Sequence, residues 1–204
     1  MTIKLDRVTK RLGDKTILND VTKVFSLGNI YLIKGESGAG KTSLLEICAG
    51  LQNIDNGQVI VEKNKKFGFV FQNFNVFEEL TVYDNLFVDL LMTTNYNKSE
   101  IENIIIKTIG ELGLTDKIKQ KAKLLSGGEK QRLALARAIV KKNDIIFADE
   151  PSANIDEKNV EKIKRIFEKM KNDNSLIIIA THDDSFDCIA DEILRLKGGK
   201  LICE

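Results

Sequence analysis

The chain has 204 residues, 43% hydrophobic and 30% charged, enough for one domain with a buried core and room for a subdomain. Lys and Arg number 31 against 30 Asp and Glu, a net charge of +1, so no general attraction to nucleic acid or an anionic membrane is implied. No apolar run nears the ~18 residues of a membrane span, and no signal peptide opens the chain, so Cys48, Cys188 and Cys203, which form no close pair, read as reduced cytoplasmic thiols.

Ile3 to Val8 alternates apolar and polar residues, which predicts an edge-type strand. Gly13-Asp14-Lys15 reads as a turn and Thr16 to Phe25 as a second strand region. Ser26 to Asn29 turns the chain into the apolar run Ile30-Tyr31-Leu32-Ile33. Gly35-Glu36-Ser37-Gly38-Ala39-Gly40-Lys41-Thr42 follows, matching the spacing G-x-x-x-x-G-K-[ST]. Ser43 to Ala49 then reads as a helix closed by Gly50. A strand–loop–helix context is what this motif needs. Glycines let the backbone wrap phosphate oxygens, and loop amides with the helix N-terminus face the negative charge. Lys41 adds a point charge, and the Thr42 hydroxyl is placed for Mg²⁺. Alone, the loop says only that a nucleotide is bound.

Beyond Gly50, Asp55-Asn56-Gly57 reads as a turn flanked by Gln58 to Val61, and Phe67 to Gln72 is β-prone. Six of the ten phenylalanines lie at Phe67, Phe69, Phe71, Phe74, Phe77 and Phe87. Most are expected in a subdomain core; the other reading is a partner-docking groove. Thr81 to Met92 predicts an apolar helix. Ser99 with Glu102 predicts a capping box ahead of Ile101, Ile104, Ile105, Ile109 and Leu112, which recur at helical spacing. Residues 73–125 therefore read as a helical insertion.

Leu125-Ser126-Gly127-Gly128-Glu129-Lys130-Gln131 opens a long helix. Two glycines and a hydroxyl at a helix N-terminus make a second anion cradle, with no lysine placed as Lys41 is. Asp144 to Glu150 is an apolar strand ending in two carboxylates, Asp149 and Glu150. The first suits a metal and its waters, the second a nucleophilic water. Pro151, the sole proline, breaks the chain there. Ser152 to Asp156 forms a loop, and Val160, Ile163, Ile166, Phe167 and Met170 mark the inner face of an amphipathic helix. Ser175 to Ala180 is a buried-type strand ending in Thr181-His182-Asp183. His182 is the only histidine, placed where α/β folds put ligands. Glu192 to Leu196 and Lys200 to Ile202 complete the chain across a Gly198-Gly199 turn.

The order of phosphate loop, Gln72, L-S-G-G-E, Asp149-Glu150, the 152–156 loop and His182 resembles the ATP-binding-cassette ATPases over essentially the whole chain. The resemblance implies an α/β, P-loop NTPase core with a mixed sheet, a small antiparallel β-subdomain and an inserted helical subdomain, all in one domain spanning residues 1–204. It implies ATP and Mg²⁺ as ligands. Gly35 to Thr42 and Ser43 would hold the phosphates, with Ser43 at the α-phosphate. Thr42, Gln72 and Asp149 would complete the Mg²⁺ and water shell. Glu150 would be the general base and His182 the γ-phosphate contact. Ser126, Gly127, Gly128 and Glu129 would close over the ATP of a second, head-to-tail copy, with Asp156 in the loop that links the sites. One phosphate loop and two cradles per chain fit such a twofold pair.

Gly68 to Asn75, with Leu80-Thr81-Val82 and Asp84-Asn85-Leu86, resembles the branch serving macrolide, lipoprotein and antimicrobial-peptide export. That branch implies an integral membrane partner, a place on the cytoplasmic face of the membrane and no nucleic acid. A non-transport role, driving a membrane signalling or cell-division partner, uses the same chemistry. Soluble repair or translation cassettes fit less well, since only one phosphate loop and no long coiled coil are present. Two departures stand out. Leu12 occupies the place where the family has an aromatic residue on adenine, which predicts modest base discrimination. The span from Gly50 to Gln72 is short, which predicts a trimmed β-subdomain. No appended regulatory domain is expected after Glu204.

Overall fold

The computed structural model describes residues 2–93 and 95–203. Strand β3 (Ile30–Lys34) is the hub of a six-stranded sheet in the order β5 (Phe67–Val70), β6 (Ile145–Asp149), β7 (Leu176–Ala180), β3, β8 (Glu192–Lys197), β9 (Lys200–Cys203). Five strands run parallel and β9 is antiparallel, so the sheet is mixed as expected. The central strands are buried on both faces, which explains their unbroken apolar sequence.

Alternate residues divide between two cores. Ile30, Leu32, Ile146, Ala148, Ile177 and Ile179 face α2 (Val82–Thr93), α3 (Lys98–Glu111), α4 (Gly127–Ile139) and α5 (Glu157–Asn172). Tyr31, Ile33, Ile145, Phe147, Leu176 and Ile178 face α1 (Lys41–Cys48) and a second sheet. Each fully buried side chain of this size contributes about 1.5–3 kcal/mol. That second sheet has three antiparallel strands in the order β2 (Lys15–Phe25), β1 (Ile3–Leu12), β4 (Asn56–Val61).

Three local expectations are corrected. β1 is the central strand of its sheet, not an edge. Its alternation records one buried face and is silent on the number of neighbours. Asn56 and Gly57 lie in β4 and not in a free turn. Gly57 has φ 91°, and a Cβ there would come within 2.3 Å of Arg7 O, at a register shift between Asp6 and Thr9. The capping box of α3 is Asn97 with Glu100, two residues before Ser99 and Glu102: Asn97 accepts from Glu100 N at 3.0 Å, and Glu100 accepts from Asn97 N at 2.8 Å. Of the six phenylalanines expected mainly as core, none is fully buried. Phe69 and Phe87 pack against the two cores, while Phe67 and Phe77 are exposed.

Candidate active site

The parallel register brings the predicted residues to one edge. Val70 pairs with Ala148, Asp149 with Ala180, and Ile33 with Ala180. The C-terminal ends of β5, β6, β7 and β3 are therefore level, and Gln72, Asp149-Glu150, Thr181-His182 and Gly35 all leave the sheet at that edge.

The phosphate loop is built on three left-handed glycines: Gly35 (φ 155°), Gly38 (φ 73°) and Gly40 (φ 104°). A Cβ at Gly35 would meet Leu196 O at 2.6 Å, and one at Gly40 would meet Ile17 Cγ2 at 2.2 Å. Packing against β8 and β2 thus demands glycine as much as the turn does. The first turn of α1 carries no acidic residue, so its N-terminal dipole is unopposed. The Lys41 ammonium donates to Gly35 O at 2.8 Å, curled into the loop that it closes. Ser43 is buried on α1; Glu36 and Ser37 are exposed on the loop. Lys15, which the sequence reading missed, donates to Gly38 O at 3.0 Å and sets the tip of the β1–β2 hairpin beside the loop. Leu12, on that hairpin, is 48% exposed and offers an aliphatic surface.

The Thr42 hydroxyl donates to Asp149 Oδ2 at 2.6 Å. Burial raises the Asp149 carboxyl above its ordinary range; the Thr42 bond opposes this and the neighbouring Glu150 charge adds to it. These are hard oxygen donors, and among the described residues no group of three or more His, Cys, Asp or Glu is placed to hold a metal ion by itself. Two protein oxygens fit Mg²⁺, a cation that keeps waters and takes phosphate oxygens for the rest. Gln72, expected in the same shell, is exposed and makes no side-chain hydrogen bond among the described residues.

Glu150 sits in the left-handed region at φ 49°. That is a strained setting for a residue with a side chain. Three features impose it. Its N–H donates to Ala180 O at 2.8 Å, Gln131 Nε2 donates to its carbonyl at 3.2 Å, and Pro151 follows, disfavouring the right-handed region. The side chain is thereby held over the end of β7. Thr181 Oγ1 donates to Glu150 Oε2 at 3.1 Å, and His182 Nδ1 lies 3.0 Å from the same oxygen. Oε1 has no protein partner among the described residues, so it is available to a water. Thr181 and Gln131 escaped the sequence reading; the only signal for Thr181 was its place at the strand end beside His182.

Among the described residues no hydrogen bond joins the stretch Ser126 to Glu129 to the phosphate loop. Ser126 Oγ accepts from Glu129 N at 3.3 Å and Glu129 accepts from Ser126 N at 2.8 Å, a full capping box at the start of α4. The Ser126 side chain also hydrogen-bonds the Glu129 carboxylate. Hydrogen bonding from the Ser126 amide lowers the Glu129 carboxyl below its usual range. A Cβ at Gly128 would come within 2.6 Å of Asn154 O, so the cradle is packed against the 152–156 loop. Asp156 in that loop caps α5, accepting from Asn159 N at 3.1 Å and Asn159 Nδ2 at 2.6 Å, and these bonds lower its carboxyl.

This geometry, one phosphate edge and a second cradle, agrees with the comparisons to known proteins. The ABC transporter family profile matches residues 18–153. The chain belongs to the ABC transporter family. It is an ATPase of that family, the ATP-hydrolysing subunit of a membrane transporter. It is 32% identical over 215 residues to a lipoprotein-releasing system ATP-binding protein, LolD, of Bacteroides thetaiotaomicron, covering 98% of each chain. It is 34% identical over 223 residues to a phosphonates import ATP-binding protein, PhnC, of Fusobacterium nucleatum, covering 98% of this chain and 90% of the relative. A macrolide export ATP-binding/permease protein, MacB, of Chlorobium phaeobacteroides is 33% identical over 96% of this chain, which spans 32% of that relative. A solved dimeric ATP-binding cassette in a post-hydrolysis state, bound to ADP and Pi, superposes with a TM-score of 0.90 at 29% identity, covering 98% of this chain and 96% of that one. Among the described residues no helix is long and apolar enough to cross a membrane.

Proposed function

We propose that this chain, acting as one domain over residues 1–204, is one jaw of an ATP-gated clamp on the cytoplasmic face of a membrane. Two copies pair head to tail. Each site takes its phosphates on Gly35 to Thr42 and Ser43 of one copy and is closed by Ser126 to Glu129 of the other. The observation that carries the reading is the arrangement within one chain: a phosphate edge with lysine and carboxylates, and a second, capped helix N-terminus with two glycines that no hydrogen bond among the described residues joins to the phosphate loop. The dimeric state of the solved cassette described above supports it.

In the reaction, loop amides and Lys41 bind the β- and γ-phosphates, Lys41 leaving its loop carbonyl to do so. Thr42, Asp149 and Gln72 would hold Mg²⁺, which when bound neutralises charge on those oxygens. Glu150 accepts the proton of the attacking water on Oε1 while Thr181 fixes Oε2. His182, 82% exposed at its side chain, is free to turn from Glu150 to the γ-phosphate. Asp156 holds the start of α5 beside the cradle, linking the two sites of the pair. Leu12 packs on the base.

An integral membrane partner would seat near the insertion of about 73–125. A groove of about 200 Å³ there is lined by Phe67, Phe69, Phe71, Phe74 and Arg137, whose guanidinium lies 4.2 Å from the Phe77 ring centre. Aromatic and arginine side chains are what a protein interface selects. The relatives named for lipoprotein release and macrolide export support export of a peptide, lipid-linked or hydrophobic substrate. A partner that signals instead of transporting would use the same groove.

The Glu150→Gln protein tests the clamp. It is expected to dimerise on Mg-ATP by light scattering and to hydrolyse ATP about 10²–10⁴-fold more slowly. A monomer at saturating ATP, or hydrolysis at the wild-type rate, would overturn the composite site or the base assignment.

A further inference from the structure

Strand β3 is apolar except for its last residue, Lys34, which stands directly before Gly35. Lys34 is only 8% exposed. An ammonium there carries a desolvation cost that only close partners offset. It has two. Nζ lies 2.6 Å from Asp184 Oδ1 and 2.7 Å from Asp187 Oδ2. Both aspartates belong to the short 3₁₀ segment Asp184–Ile189, which begins two residues after His182.

We propose that Lys34 is a positioning residue for ATP hydrolysis, clamping the segment that carries His182 to the root of the phosphate loop. The proposal rests on the reading of His182 given above. The His182 side chain is largely exposed and, among the described residues, its one close polar partner is Glu150, so its place is set by the backbone on either side. Upstream it is held by β7. Downstream the Asp183 carboxylate accepts from Ser185 N at 2.9 Å, Asp183 N donates to Thr181 Oγ1 at 3.0 Å, and Phe186 is fully buried. These bonds shape the segment, but Phe186 and Lys164, which donates to Ser185 O at 3.2 Å, tie it to α5 and the core behind it. Phe186 and Ile189 share a buried core with Ile30 and Leu32 of β3, and among the described residues Lys34 supplies the side-chain hydrogen bonds between the segment and the end of that strand, from which the phosphate loop departs. A shift of β3 is thus passed to the residues flanking His182. Because Nζ is already engaged by two carboxylates, Lys34 has no part in holding phosphate. Its loss should slow the chemical step without weakening nucleotide binding.

The test compares Lys34→Met, Lys34→Arg, His182→Ala and the Lys34→Met/His182→Ala double variant, each as the full chain. Steady-state ATPase rates are read beside the dissociation constant of a fluorescent ATP analogue. Lys34→Met is expected to lower kcat about tenfold with the dissociation constant within about twofold, since misplacement of a contact by a fraction of an ångström is enough. Lys34→Arg should recover most of the rate. The double variant should be no slower than His182→Ala. A Lys34→Met rate within about twofold of wild type, equal losses in rate and affinity, or a double variant slower than His182→Ala would overturn the inference. If His182→Ala is as fast as wild type, the role given to His182 fails and this inference with it. If His182→Ala is slow while Lys34→Met is not, only this inference fails. Should Lys34→Met not fold, Asp187→Asn keeps the ammonium and one partner. It is expected to lower kcat about threefold at unchanged affinity, and an unchanged kcat would count against the clamp.

Discussion

Thr42 and Asp149 lie 107 residues apart in the chain and 2.6 Å apart in space, the hydroxyl of α1 donating to the carboxylate at the end of β6. The bond partly offsets the burial of Asp149, and the carboxyl still titrates above its ordinary range. A carboxyl raised in the folded state keeps a proton that the unfolded chain releases. Its contribution to stability therefore falls as pH rises from the ordinary aspartate range through the raised value, and at pH 7 it is unfavourable. Asp149→Asn, which keeps an acceptor for Thr42, is expected to melt about 2 °C higher than wild type at pH 7 without nucleotide. The gap should close in acid, where both side chains are neutral. With Mg-ATP the order should reverse, because the wild type, with its full set of Mg²⁺ donors, gains the larger ligand stabilisation. Calorimetry with and without Mg-ATP reads both signs; an Asp149→Asn protein that melts lower without nucleotide would contradict the argument.

The hairpin tip gives a second prediction. Leu12 offers methyl contacts and no ring to stack on a base, and Lys15 is already bonded to Gly38 O. Turnover with ATP and GTP should differ by less than about tenfold in kcat/KM. Leu12→Tyr should lower KM for ATP about threefold to tenfold, the range that an aromatic stack of 0.5–1.5 kcal/mol supplies. A strong ATP preference in the wild type would defeat the first statement; an unchanged KM in the variant would defeat the second.

How much of this was readable beforehand divides along physical lines. The apolar strands, the phosphate loop and the carboxylate-bearing strand end were legible because each is a local pattern: an apolar run, a glycine spacing, a carboxylate pair after a strand; the mixed sheet was implied by the family resemblance. The central place of β1 was not, since Ile3, Leu5 and Val8 record which face is buried and not who pairs at the edges. The α3 cap was misplaced because Asn97–Glu100 and Ser99–Glu102 share one spacing, and only the extended backbone of Asn97, at φ −74° and ψ 167°, decides between them. Lys34, Thr181 and Gln131 were invisible. Their roles lie in contacts 19 to 153 residues away in the chain, which no local window contains.

Ser126 serves two ends, and two substitutions separate them. As the α4 cap it accepts from Glu129 N. In the proposed pair its hydroxyl would turn to the partner's phosphate. Ser126→Ala should lower stability by about 1 kcal/mol and weaken ATP-driven pairing in a Glu150→Gln background. Ser126→Asp keeps the cap, so its melting temperature should stay near wild type, yet its charge should abolish pairing. A Ser126→Asp protein that still dimerises on Mg-ATP would remove the cradle from the composite site.

The cysteines report on the phosphate loop from beneath. Burial pushes the Cys48 thiol up to about 12, while Cys188 and Cys203 are exposed. Thiolate is the reactive form, and the Glu192 carboxylate beside Cys203 raises its thiol, so a disulfide reagent at pH 8 should modify exposed Cys188 quickly, Cys203 more slowly, and spare Cys48 in the native protein. Cys48 closes α1, whose first residues are Lys41 and Thr42, and it packs in the core shared with Leu44, Leu45 and Phe147. Its slow labelling therefore requires α1 to lift from the sheet. ATP bound at the N-terminus of α1 stabilises the closed form and should slow that labelling in proportion to occupancy. A Cys48→Ala control assigns the slow phase. Rapid labelling of Cys48, or a rate indifferent to ATP, would mean that α1 is not the element on which the nucleotide is held.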